Sequence, residues 1–309
     1  MSYKSVTLLI DEARTSAEEK DFSATTGITE DEVLRHLNQG KNIIYRKLIN
    51  MSQNLFTKVK EVSLETGQKT VLLPFDIYGK NRILDVKVLE GQVVYQVKAA
   101  SEKHDVFSEL GRPQKYYRMS NSIQLIPANS SFNSRVLKLS YVAALPKLSK
   151  QAAKVLSLTI TDGVIADFLL DTSIIIESNE LNKYTSISVC DRNGNIKAYD
   201  IPFDNIDSAT GIVTVTSGFV LPTDEIIEAG DVVVSGPFSS THTGLEIDVE
   251  EYCIEYAIFK MLQRQGSAEV ATQAQLVLQL ENSIMETYSN ISDDVVSPLV
   301  QGFRSDGWL

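Results

Sequence analysis

The sequence is poor in the residues that most often build metal sites, disulfide frameworks and membrane spans. Its 309 residues include two cysteines, three histidines and one tryptophan. Cys190 and Cys253 lie far apart in segments of different character, which excludes a disulfide framework and a cysteine metal motif. Apolar runs such as residues 174–176 and 232–234 are short, and none approaches the ~20 residues that cross a bilayer. We therefore expect no transmembrane segment, and synthesis in a reducing cytoplasm.

Basic residues are scarce in the middle of the chain. The net charge is −11, and residues 155–245 hold 13 acidic and three basic side chains, a net −10. The remaining residues hold 27 acidic and 26 basic side chains, a net −1. Binding to nucleic acid by counterion release needs basic side chains on the phosphates. The acidic segment is therefore expected to repel DNA or to keep the surface soluble.

Sequence motifs of catalysis and metal binding are also missing. His36, His104 and His242 have no cysteine, carboxylate or second histidine at metal-ligand spacing, and we interpret them as surface histidines. No Walker loop, dinucleotide-binding glycine motif or serine nucleophile elbow is present. The sequence therefore predicts no catalytic residue, no metal site and no cofactor, and a protein that is not an enzyme.

The segment 191–195, Asp-Arg-Asn-Gly-Asn, allows two interpretations. Its alternating oxygen-bearing side chains faintly resemble a calcium loop, but the distal glutamate of an EF-hand is missing. A type I′ hairpin turn at Asn193-Gly194 is favoured instead, because both residues tolerate positive φ. Carboxylates of this region, such as Asp191 and Asp204, also leave open a hydrolase that uses an acidic pair.

Helical periodicity marks both ends of the chain. A first helix is indicated by Val6, Leu9, Ile10 and Ala13, which share one face. Residues 30–51 are predicted to form a long amphipathic helix that starts with a capping box at positions 29–32. Residues 248–265 and 268–288 repeat the helical period on either side of Gly266, which predicts an antiparallel helical hairpin.

Between these helices the pattern is that of β-structure. Alternating runs with glycine and proline turns start near residue 56, and residues 155–245 are β throughout. The predicted fold is α+β: a helical bundle with a small antiparallel sheet, interrupted by an all-β insertion that is a sandwich or a barrel. The predicted parts are residues 1–150 (first part of the bundle and the sheet), 151–245 (acidic insertion), 246–290 (helical hairpin) and 291–309 (tail).

The tail carries large apolar side chains in a glycine-rich, polar context that cannot build its own core. Trp308 is the single tryptophan of the chain. Such a segment is typical of a tail that docks into a groove of another chain and orders on binding. The predicted contact residues are Phe303, Arg304, Trp308 and Leu309. The alternative is a tail that folds back on its own helices.

Several short motifs follow one another in a characteristic order. They are Glu30-Asp31-Glu32-Val33-Leu34-Arg35-His36-Leu37-Asn38, Leu73-Pro74-Phe75-Asp76, Gly111-Arg112-Pro113-Gln114-Lys115-Tyr116-Tyr117, Ile123-Gln124-Leu125-Ile126-Pro127, Leu139-Ser140-Tyr141, Leu145-Pro146-Lys147-Leu148 and Glu251-Tyr252-Cys253-Ile254-Glu255-Tyr256-Ala257. Over residues 1–150 and 245–290 this order resembles the head-to-tail adaptor (tail tubular protein A) family of short-tailed bacteriophages. Residues 155–245 depart from the family pattern.

The resemblance implies a structural virion protein of the neck or tail, made in the cytoplasm of a host bacterium. Members of that family form a closed ring, usually twelve-fold, beneath the portal protein and above the nozzle or tail-tube protein. DNA passes through the ring without sequence-specific binding, and no membrane is involved. The resemblance also implies that the tail residues contact the portal or a neighbouring subunit. The alternative from another class is a carbohydrate- or receptor-binding virion module that uses the β insertion.

Overall fold

The structure is a computed structural model that describes residues 4–74, 76–80, 82–100, 110–130, 135–161, 164–171, 185–207, 210–216 and 226–289. Its contacts divide the chain into two compact units, Met1–Ser52 with Pro146–Leu309, and Gln53–Leu145. Helices and strands both contribute large shares, so the α+β class is confirmed. This grouping keeps the β insertion with the helices, whereas the sequence prediction joined residues 1–150 in one part.

The unit Gln53–Leu145 is built from two four-stranded sheets around one core. Its strands are β1 (Thr57–Leu64), β2 (Thr70–Leu72), β3 (Ile83–Glu90), β4 (Val93–Gln96), β5 (Lys98–Ala99), β6 (Leu110–Gly111), β7 (Lys115–Arg118), β8 (Ser122–Ile126), β9 (Ala128–Asn129) and β10 (Arg135–Val142). The sheets have the orders β1-β10-β3-β4 and β2-β8-β7-β5, and β6 and β9 form a separate parallel pair. Val88 and Leu137 of one sheet and Ile123 of the other belong to the same buried cluster.

This arrangement corrects the prediction of one small antiparallel sheet. A sheet with an apolar face has to bury that face against another layer, and here the second layer is itself a sheet. The pairing of β5 with β7 is parallel, so the second sheet is mixed.

The β insertion is a closed, six-stranded barrel. The strands of the chain after residue 146 are β11 (Lys147–Leu148), β12 (Gln151–Thr161), β13 (Val164–Leu170), β14 (Ser186–Cys190), β15 (Ile196–Asp207), β16 (Ile212–Val215), β17 (Val232–Ser235) and β18 (Ser239–Ser240). The barrel order is β12-β13-β16-β15-β14-β17, and β11 pairs with β18 beside it. Inward residues such as Phe168, Ile201 and Val213 are fully buried. Of the two architectures left open by the sequence, the structure has the barrel.

Four helices are described in the same unit as the barrel: α1 (Val6–Lys20), α2 (Glu30–Met51), α3 (Ile247–Gln265) and α4 (Val270–Ser289). The bounds of α2, α3 and α4 match the predicted 30–51, 248–265 and 268–288 to within two residues, and α1 is the helix indicated by the face of Val6, Leu9, Ile10 and Ala13. Thr29 caps α2, since its hydroxyl accepts from the Glu32 backbone N–H at 3.3 Å. The Glu32 carboxylate contacts Arg35 and Arg264.

The helices pack through the apolar stripes that the sequence shows. Leu37, Ile44 and Leu48 of α2 are completely buried, as is Ile258 of α3. Helices α2 and α3 run antiparallel, because the pairs Glu32–Arg264 and Gly40–Tyr256 both join them. α3 ends at Gly266, which takes the left-handed conformation of a helix C-cap at φ 66°.

Candidate interaction surface

The sequence-predicted contact residues Phe303, Arg304, Trp308 and Leu309 lie outside the described residues. Their role in binding a portal or a neighbouring subunit stays a prediction. His104 also lies outside the described part of the chain.

The interpretation of the other two histidines as surface residues is wrong. His36 and His242 are each only 9% exposed, and burial lowers the pKa of both imidazoles. His36 Nδ1 lies 3.1 Å from Gln39 Oε1, and His242 Nδ1 lies 2.9 Å from the Thr241 hydroxyl. Both side chains are therefore hydrogen-bonded parts of the packed interior. Among the described residues, no group of three or more metal-ligating side chains is found.

The loop 191–195 is organised by Asp191. One oxygen of its carboxylate accepts from the backbone N–H groups of Asn193 and Asn195 at 2.8 and 2.9 Å, and the other accepts from the Asn195 amide at 2.7 Å. Only Asp200 among the described non-glycine residues has positive φ, so Asn193 is not left-handed and the type I′ prediction is wrong. Gly194 alone supplies the left-handed residue of this loop, at φ 83°.

Asp204, the other carboxylate considered for a hydrolase, accepts a hydrogen bond from the Thr216 hydroxyl at 2.7 Å. Thr216 follows β16, and Asp204 lies on the neighbouring strand β15, so the contact links two adjacent strands of the barrel. Both acidic side chains thus have structural partners inside the insertion.

Two of the short motifs meet inside the unit Gln53–Leu145. The Asp76 carboxylate, 4% exposed, accepts from Lys58 Nζ and from the Tyr141 hydroxyl, each at 2.8 Å. Gly111, from a third motif, offers its carbonyl to the buried Arg135 guanidinium at 3.1 Å. These motif residues therefore fasten the loop after β2 to strands β1 and β10, and β6 to β10, inside the unit.

Replacing Asp76 by asparagine is expected to lower the free energy of unfolding by about 2 kcal/mol, because the half-buried Lys58 ammonium and the Tyr141 hydroxyl lose their charged acceptor. Urea denaturation followed by circular dichroism measures this. The matched control is Glu61→Gln, which breaks the exposed pair with Lys138 and should cost less than about 0.5 kcal/mol. Equal losses for the two variants would contradict the structural role of Asp76.

A groove lies between α2 and α3. It has a volume of about 420 Å³ and is lined by Gln39, Asn42, Ile43 and Arg46 of α2 and by Tyr256 and Lys260 of α3. A side chain at Gly40 would come within 3.1 Å of the Tyr256 ring, so the glycine lets the ring lie against the α2 backbone. The basic groove, as we call these six residues, thus has an aromatic and aliphatic floor.

Within the described part of the chain, the two cations of the basic groove form no ion pair, whereas the basic side chains around the groove do. Lys47 pairs with Glu281, Lys20 with Glu255 and Arg264 with Glu32. In contrast, Arg46 and Lys260 have no carboxylate partner among the described residues. Lys260 Nζ donates to Gln263 and lies 5.0 Å from the Phe259 ring centroid. Two such cations beside an aromatic floor are suited to bind an anionic, partly apolar segment.

The barrel carries an exposed apolar patch on its outer wall. Leu156, Leu169 and Ile212 are 51%, 37% and 39% exposed and lie on the neighbouring strands β12, β13 and β16. Leu169 and Ile212 are directly opposite each other in the register. We call these three residues the barrel patch. In the loop between α1 and α2, Phe22 is 93% exposed.

Sequence reasoning missed these surfaces. The run Phe168-Leu169-Leu170 has the pattern of a strand buried on both faces, and only the barrel closure shows that Leu169 points outward. For the basic groove, a glycine in the middle of α2 was an available signal, since a helix-interior glycine often marks a close approach.

Compared with known proteins, the chain matches no family model, and no curated protein matches it. Within the parts that the structure describes, no helix is both long and apolar enough to cross a membrane.

Proposed function

We propose that the chain is a subunit of a head-to-tail adaptor ring, which joins the capsid portal of a short-tailed bacteriophage to the tail and leaves a passage for DNA. The observation that carries the proposal is the set of separate contact surfaces on one small unit. The barrel patch, the basic groove and Phe22 lie on different elements. A ring subunit meets its two neighbours through two different surfaces and further proteins above and below, so it needs several such surfaces.

The charge of the insertion supports the same role. Residues 155–245 carry a net −10, and the strands described there form the barrel. An anionic wall near a DNA conduit repels phosphate and so lets the genome slide without sticking. The order of motifs described above adds to this support. No catalytic step is part of the proposal.

Electron microscopy of negatively stained samples tests the proposal directly. The purified chain is imaged alone and after mixing with the portal protein encoded in the same genome. We expect closed rings seated on the portal, with twelve-fold symmetry. A chain that leaves the portal bare would contradict the adaptor role, and binding to a glycan array by that same chain would favour the recognition-module alternative.

Removing the tail anchors is expected to weaken capture by the portal or a neighbour. One large aromatic anchor commonly supplies about 2 kcal/mol or more, so the double variant Phe303→Ala/Trp308→Ala should bind at least about 30-fold more weakly. Biolayer interferometry against immobilised portal rings measures this. The control is Leu72→Ala, an exposed leucine of the other unit, which should leave the affinity unchanged. Unchanged binding by the double variant would show that the tail is not the contact.

A further inference from the structure

The basic groove lacks an anionic partner among the described residues, while the chain carries an anionic segment of complementary character. Residues 290–309 contain Asp293, Asp294 and Asp306 against the single Arg304. Apolar side chains flank the acidic pair, with Ile291 on one side and Val295 on the other. Acidic and apolar groups of the segment thus match the cations and the aromatic floor of the groove.

The position where α4 ends brings this segment to the start of α3, the helix that carries one side of the groove. The hydroxyl of Tyr288, in the last turn of α4, donates to Glu246 Oε2 at 2.6 Å, and Glu246 immediately precedes α3. Tyr256 and Lys260 follow Glu246 by 10 and 14 residues, which is about 15 and 21 Å along a helix axis. A chain that leaves α4 here has to run beside α3 to reach them.

The spacing of the acidic pair fits that path. Asp293 and Asp294 follow Ser289, the last residue of α4, by four and five positions. At about 3.3 Å per extended residue they reach about 13 to 17 Å from the helix end. The long side chains of Arg46 and Lys260 cover the remaining distance.

Tethering favours the segment of the same chain over any free competitor. A short linker holds its segment at a millimolar effective concentration, far above the micromolar concentration of a purified protein. We propose that residues 290–309 bind in cis to the basic groove, with Asp293 and Asp294 beside Arg46 and Lys260. The groove is then a docking site for the chain's own C-terminal segment.

A consequence for assembly rests on the proposed adaptor function. The same segment holds the tail anchors Phe303 and Trp308, so a segment bound in the groove of a free subunit is withheld from its partners. A portal that offers a better site would draw the segment out.

The single tryptophan allows a test on the full chain. Trp308 is the only indole, so acrylamide quenching of tryptophan fluorescence reports on this segment alone. In the unaltered chain we expect clear protection relative to a synthetic peptide of residues 290–309. In Arg46→Glu/Lys260→Glu, the two proposed attractions to Asp293 and Asp294 become repulsions. The ratio of bound to free segment should then fall about ten-fold, and quenching of Trp308 should approach that of the peptide.

Three further variants make the result specific. Lys60→Glu/Lys154→Glu makes the same charge change at exposed lysines outside the groove and should keep the protection. Asp293→Asn/Asp294→Asn leaves the described helices and strands unaltered and should release Trp308 as the groove variant does. Asp293→Lys/Asp294→Lys, added to the groove variant, should restore protection through swapped charges.

Several results would overturn the proposal. The first is quenching of the unaltered chain equal to that of the peptide. The second is protection of Trp308 that survives in both the groove variant and the asparagine variant. The third is protection that grows with protein concentration, which would mean that the segment binds to a second copy of the chain. Each of these is measured without a portal. Failure of the cis contact is therefore distinguishable from failure of the adaptor proposal, which the microscopy tests.

Discussion

Gly194→Ala is expected to lower the free energy of unfolding by about 3 kcal/mol. Two costs add at this position. Gly194 has φ 83°, a left-handed conformation that costs a residue with a side chain about 1 kcal/mol. A Cβ at this position would lie 2.5 Å from His242 Nδ1 and 2.7 Å from His242 Cβ, so the loop or the histidine has to shift, at about 1–3 kcal/mol.

The control separates the two costs. Gly27 has φ 69°, but no atom lies within 4 Å of the point that its Cβ would occupy, so Gly27→Ala has the backbone cost of about 1 kcal/mol alone. Guanidinium denaturation of both variants, fitted with a common m-value, gives the difference. A Gly194 variant no less stable than the Gly27 variant would show that His242 does not pack against the 191–195 loop.

Lys41→Met is expected to raise stability in neutral to acidic solution and to lower it in alkaline solution. Lys41 is 1% exposed, its ammonium donates to the Pro146 carbonyl, and its burial lowers the pKa to about 7. In the unfolded chain the same amine has a pKa of about 10.4. The folded protein therefore carries a desolvated charge below pH 7, which methionine removes at similar length.

The sign of the pH dependence follows from proton linkage. Between about pH 7 and 10 the unfolded chain binds this proton and the folded chain does not. The buried ammonium therefore lowers the free energy of unfolding by its full amount below pH 7, and this destabilisation decreases as the pH rises to about 10. From about pH 7 to about pH 10 the free energy of unfolding of the unaltered protein rises by roughly 4 kcal/mol through this group. Methionine also leaves the Pro146 carbonyl without its donor, at about 1 kcal/mol at every pH. The variant should thus be about 3 kcal/mol more stable at about pH 6 and about 1 kcal/mol less stable at about pH 10.

Urea denaturation of the variant and the unaltered protein at about pH 6 and at higher pH values up to about 10 measures this difference. Taking the difference cancels other titrations, including that of the neighbouring Cys253, whose burial raises the pKa of its thiol to about 12. Lys154→Met, at an exposed position, is the control and should show no pH dependence. A difference that stays constant across this range would mean that Lys41 keeps its charge in the fold.

Periodicity along the chain predicted the helices because they depend on local spacing. The bounds of α2 match the predicted residues 30–51, since a threonine cap and an apolar stripe both mark the helix. Position 41 falls on that stripe between Leu37 and Ile44, which was the available signal for a buried lysine. That signal went unused because lysine is almost never fully buried.

The two-sheet core and the burial of the histidines were not predicted, because they depend on pairings between distant residues. Strands β1 and β10 pair across about 80 residues, and no local rule selects that partner. His242 is buried where Ser5 forms a backbone bridge to it from the other end of the chain.

The amino-acid sequence by itself determined the helices, the presence of a β insertion, its acidic charge and the anionic character of residues 290–309, since each of these is a local property of composition or spacing. Tertiary structure alone decided that the insertion closes into a barrel, that Leu156, Leu169 and Ile212 meet on its wall, and that Arg46 and Lys260 line one groove. Those two cations are more than 200 positions apart in the chain, and only the antiparallel packing of α2 on α3, permitted by Gly40, brings them together.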